Sequence, residues 1–124
     1  MKLGSLALVA VLAFNVVIGV KPAKANQQLV ASICDYVASD QKSRLRKKLK
    51  ETRVKLRNVY GGISCNGMSL IRFAVEKNSV DIGVFIIKKI PASKLSTFGD
   101  VDWAEANGHG GSEIIAKLKE RIGA

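Results

Sequence analysis

The sequence predicts an all-α fold of three antiparallel helix pairs, and three observations carry that reading. Apolar residues recur at three- and four-residue spacing in several segments. Glycines and polar clusters separate those segments, and no run shows the sustained alternation of a half-buried strand. At 124 residues and 48% hydrophobic, the chain has the size of one small domain and enough Leu, Ile and Val to bury a core.

The first segment reads as an address and not as part of the fold. Met1 and Lys2 precede a mainly apolar run from Leu3 to Val20, followed by Lys21, Pro22 and the small-residue ending Ala23, Lys24, Ala25. A basic start, an apolar middle and such an ending are the marks of a secretory signal peptide, here cleaved after Ala25. A membrane-spanning helix is the rival, but an apolar run of 18 positions interrupted by Asn15 and Gly19 sits at the bottom of the spanning range. The expected mature chain is residues 26–124, periplasmic or secreted, in an oxidising space and with no transmembrane segment after cleavage.

In the mature chain, Leu29, Val30, Ile33, Cys34 and Val37 recur at helical spacing and predict a first helix from about residue 28 to 39. A second is expected over about 41–58, where Leu45, Leu49, Thr52, Leu56 and Val59 form a narrow apolar stripe, until Gly61 and Gly62 stop it. The segment 63–67 reads as a turn. A third helix covers about 69–77, residues 78–81 resemble a capping box for a fourth that runs to about Ile90, and Pro91 closes it. After a polar connection come a short fifth helix over 100–106, a glycine-rich turn at 108–111 and a sixth helix over 112–122.

The charge is concentrated in one element. Twenty Lys and Arg face 10 Asp and Glu, and loss of Lys2, Lys21 and Lys24 with the signal leaves 17 basic residues and a net charge of +7. Nine of those 17 lie between Lys42 and Arg57, opposed only by Glu51, so this segment is +8 and the remainder −1. Arg46, Lys50, Arg53 and Arg57 make a row at four, three and four spacing on the expected second helix, beside its apolar stripe. Like charges at that spacing cost helix stability, and the imbalance exceeds what a solvated face requires. The row is therefore the candidate binding surface for an anionic partner.

Cys34 and Cys65 both lie in the exported part, and an even pair in an oxidising compartment reads as a disulfide. Closing the 30 intervening residues would restrict the unfolded chain by about 3–4 kcal/mol in the loop-entropy picture. No Cys-x-x-Cys spacing suggests a redox-active pair.

An internal repeat links the later helices. Ala74 matches Ala104 at an offset of 30, and Asp81-Ile82 matches Glu113-Ile114 at 32, with Gly110-Gly111 absorbing the difference; Ile86 then matches Leu118. An offset near 33 with a helix, a tight turn and a second helix resembles ankyrin repeats. The segment GMSLIRFAVEKNSVDIGVFII, residues 67–87, resembles one ankyrin unit through Gly67, Ser69, Ile71, Ala74, Ile82, Ile86 and Ile87. Ala104, Gly108, His109, Ile114 and Leu118 place a second, degenerate one. Leu70, Arg72 and Asn78-Ser79 depart from the usual Pro, His and Gly-His. The resemblance implies an ankyrin-like short solenoid: a basic helical-hairpin cap over 26–62, a first unit over 63–91 and a second over 92–124. Residues 29–90, with both cysteines and the run RLRKKLKETRVKLRNVYGGISCNG, also resemble a bacterial domain of unknown function found in small exported proteins. That resemblance implies no activity.

The residues point away from catalysis. One His, at 109, two cysteines and no carboxylate cluster provide neither a His–Cys metal site nor a hydrolytic triad, and no cofactor motif is present. His109 is expected to anchor its turn, and Trp103 and Phe98 to seal the last unit. Asp100, Asp102 and Glu105 lack the loop spacing of a calcium site. The expected role is a non-catalytic interaction or scaffolding module with a protein partner in the cell envelope. The alternative is an electrostatic binder of an anionic envelope polymer or membrane surface. Nucleic acid is disfavoured, because no aromatic interrupts the basic run for base stacking.

Overall fold

The computed structural model describes residues 27–123; the expected signal peptide and its cleavage site lie outside them. Among the described residues there are eight α-helices, one 3-10 turn and no strand. The helices are α1 (27–38), α2 (Lys42–Thr52), α3 (Leu56–Val59), α4 (Leu70–Glu76), α5 (Val80–Lys89), α6 (Ala92–Leu95), α7 (Asp100–Ala106) and α8 (Glu113–Ile122), and the 3-10 turn Tyr60–Gly62 follows α3. None of these helices is long and apolar enough to cross a membrane.

The short helices are punctuated by one recurring device. After α1, Asp40 adopts φ 54°; its N–H donates to the Val37 carbonyl and the next N–H, of Gln41, to Tyr36. Asn78 repeats the pattern after α4 at φ 55°, with its N–H on Val75 and that of Ser79 on Ala74. A single left-handed residue thereby ends the helix, satisfies its last carbonyls and reverses the chain.

The third instance corrects the expected second helix. Instead of running to residue 58, α2 ends at Thr52, and Arg53 stands at φ 57° with its N–H on Lys50 and that of Val54 on Leu49. Lys55 is extended, and α3 restarts at Leu56. The break has a packing cause. On a straight helix Val54 would point away from the apolar stripe, whereas the bend half-buries it and puts Leu56 and Tyr60 at 3% and 2% exposure in the core. The basic row is therefore not continuous along one helix.

Two smaller departures concern caps. Pro91 closes α5 but also begins α6, an unanticipated turn of helix that buries Leu95. The expected capping box of α5 is replaced by a cap from elsewhere in the chain. Ser79 makes no side-chain cap bond, and Asp40, in the turn between α1 and α2, accepts the N–H of Ile82 at 2.9 Å.

Helix α5 packs on α2, α3, α4 and α8, and α4 also lies against α7 and α8. The contact with α8 is close at Gly83, where a Cβ would stand 2.8 Å from Ile114 Cδ1; only glycine permits that approach. Ile33, Leu45, Leu70, Ile71, Ile82, Ile86, Ile114 and Leu118 are at or near zero exposure in one shared core. Cys34 and Cys65 are bridged, with Cα atoms 5.7 Å apart, and join α1 to the turn before α4. In that turn Cys65 and Met68 exchange backbone hydrogen bonds of 2.8 and 2.9 Å.

Candidate anion-binding groove

The bend at residues 53–55 leaves a groove between the C-terminal half of α2, the extended linker, α3 and one side of α5. It encloses about 750 Å³. Its apolar residues are Leu49 from α2, Val54 from the linker, Leu56 from α3 and Phe85 from α5, of which Leu49, Val54 and Phe85 remain half-buried. Six basic side chains line it: Arg46, Lys47, Lys50, Lys55, Arg57 and Lys89, all exposed. No acidic residue lines it, and among the described residues none of the six lies within 4.0 Å of a carboxylate. Six cations around a small concavity raise the local potential and concentrate anions there. Arg46 and Arg57 add planar forks that can grip a phosphate or carboxylate with two parallel bonds.

Local structure places these groups. At the end of α3, Lys94 of α6 donates its Nζ–H to the Arg57 carbonyl at 2.9 Å, which ties this stretch of backbone to the rest of the fold. On α5, the Lys89 ammonium lies 5.4 Å from the centre of the Phe85 ring one turn earlier. Of the four basic residues expected to act together, the fold brings Arg46, Lys50 and Arg57 to the groove, while Arg53 does not line it and instead forms the left-handed end of α2. Sequence reasoning missed Lys47, Lys55, Phe85 and Lys89 as a group. Lys47 and Lys55 stood in the basic run already counted, and the only hint of Lys89 was the Lys88-Lys89 pair at the C-terminal end of α5, which reads equally well as dipole compensation.

A second polar cluster is internal. Asp100, 1% exposed, accepts from Arg72 Nε at 2.7 Å, Tyr60 Oη at 3.2 Å and Ser69 Oγ at 3.3 Å, and Tyr60 Oη itself accepts the Ile71 N–H at 3.2 Å. Burial and the neighbouring Asp100 charge push the Tyr60 phenol well above its ordinary range. Arg72 also donates to the Phe98 carbonyl at 2.9 Å and lies over Trp103 at 5.5 Å; Trp103 stacks on His109 at 5.4 Å, and His109 Nε2 is 3.5 Å from Glu76. The His109 N–H donates to the Ala104 carbonyl at 2.7 Å, and Phe98 packs on Tyr60 at 4.9 Å. These groups satisfy one another and join the 3-10 turn, α4 and α7. Among the described residues no group of three or more His, Cys, Asp or Glu is placed to hold a metal ion.

A family model described as protein of unknown function (DUF3718) matches residues 33–97, more than half of the chain. The chain belongs to this family. No curated protein and no solved structure matches it. The DUF3718 span contains both cysteines and every residue of the groove, and it ends just before Gly99 and Asp100. The groove is thus a feature of the DUF3718 segment itself, whereas the buried carboxylate of the polar cluster comes from beyond it.

Proposed function

We propose that this protein is a non-catalytic binding module of the exported space, and that it engages an anionic component of the cell envelope through the groove of α2, α3 and α5. One observation carries the reading: six basic side chains, none within 4.0 Å of a carboxylate among the described residues, surround an apolar-lined concavity with no acidic residue on its walls. A solvated basic face would not need a concave arrangement, nor half-buried Leu49, Val54 and Phe85 between the charges. The disulfide and the export reading of residues 1–25 support the same location.

The residues around α4 and α7 offer less to a partner, because Arg72, Trp103, His109 and Glu76 are engaged with one another. In this reading they belong to ankyrin-like units over 63–124, capped by 26–62. The packing of α5 on α8 and α4 on α7 supports that assignment.

The test is the salt dependence of binding to polyphosphate and to vesicles containing phosphatidylglycerol. Replacing Arg46, Lys50 and Arg57 by Gln should weaken both and flatten the slope of log affinity against log salt by up to about 3, with the circular dichroism spectrum unchanged. Equal slopes for the variant and the parent protein would overturn the reading.

A further inference from the structure

The groove combines two recognition chemistries, and their juxtaposition says what shape of anion it takes. A free phosphate or a polyphosphate chain would use the cations and leave Leu49, Val54 and Phe85 as wet as before. A neutral lipid would cover the apolar residues and leave six cations without counter-charge. A nucleic acid strand would seek aromatic faces for its bases, yet Phe85 is the one aromatic lining residue, and its ring is already approached by the Lys89 ammonium at 5.4 Å. The volume of about 750 Å³ lies within the ordinary range of small-molecule sites.

We propose that the groove binds a single anionic amphiphile, a phosphate-headed molecule with one alkyl or acyl chain, taken as a monomer. The head meets Arg46, Lys50 and Arg57, and the chain lies along Leu49, Val54 and Phe85. This rests on the anion-binding reading above and narrows it to a ligand with a tail. The bend at Arg53 brings Val54 to this floor, since a straight helix would carry it away from Leu49.

The experiment is calorimetric titration of the purified protein with dodecyl phosphate below its micelle concentration, butyl phosphate, inorganic phosphate and dodecyl maltoside, alongside polyphosphate. Each methylene group removed from water contributes roughly three- to fourfold in affinity, so dodecyl phosphate should bind at least about a hundredfold tighter than butyl phosphate. Dodecyl maltoside should bind far more weakly. Phe85→Ser should lower dodecyl phosphate affinity by about tenfold or more and lower polyphosphate affinity far less. Val54→Ser, in the linker and outside any helix, should do the same and guards against a folding defect in the first variant. Equal affinities for dodecyl and butyl phosphate overturn the amphiphile inference while salt-dependent polyphosphate binding keeps the broader reading. Absence of binding to every anion overturns both. Tighter binding of a single-stranded oligonucleotide than of dodecyl phosphate also overturns the amphiphile.

Discussion

Tyr60 shows how much a single side chain can carry in a core this small. Its hydroxyl accepts from the Ile71 N–H in the first turn of α4 and donates to the buried Asp100 carboxylate. Tyr60→Phe leaves both partners short of a bond without creating a cavity, and should cost about 1–3 kcal/mol in a denaturant melt. The same substitution has a pH signature. The phenol is raised above its ordinary value near 10, so above that pH the unfolded chain gives up a proton that the folded protein keeps. The associated stability is complete below about pH 10 and is lost as pH rises toward the folded value, with a slope of at most about 1.4 kcal/mol per pH unit. Between pH 10 and 11 the urea midpoint of the parent protein should therefore fall more steeply than that of Tyr60→Phe. Parallel curves would show that this phenol is not the source. Nothing local announced the cluster: Tyr60 and Asp100 stand 40 positions apart, and amphipathic periodicity reports which face is apolar, never which distant polar groups meet on it.

Helices α1, α4, α5, α7 and α8 lie close to where apolar spacing put them, because two to five buried residues in each, recurring at helical spacing, leave little choice of face. The end of α2 was not legible, and the reason is specific. Asp40 and Asn78 are residue types that tolerate a left-handed backbone, while Arg53 is not, so the sequence carries no stop signal there. Tertiary burial of Val54, Leu56 and Tyr60 overrides local preference, and the cost falls on Arg53. The two views of this segment make opposite forecasts for one substitution. At φ 57° glycine relieves strain, so Arg53→Gly should stabilise the protein by up to about 1 kcal/mol. In an unbroken helix over 41–58 the same change would destabilise by about 1 kcal/mol. The sign of the shift in chemical denaturation decides between them. It also bears on the groove, which exists only if the helix breaks.

Across the whole molecule, the sequence revealed the concentration of charge and the pairing of the cysteines, but not the groove, since its walls come from two stretches more than 25 positions apart that only packing on α5 brings together. Three of the four expected cationic residues reached it; the fourth was lost to the bend. The bridge from Cys34 to Cys65 has another effect on this region. All nine Lys and Arg residues between Lys42 and Arg57 lie inside the loop it closes. The stretch with the densest trypsin-type cleavage sites, several of them beside the 53–55 linker with its exposed Arg53 and Lys55, is therefore one in which a single cut cannot release a fragment. Limited trypsin digestion confined to this segment should give a nicked protein that migrates as one species without reductant and splits into two pieces once the bridge is reduced. Pieces that separate before reduction would contradict the connectivity. In a compartment populated by proteases, such a molecule can be severed in its most basic segment and still remain one molecule.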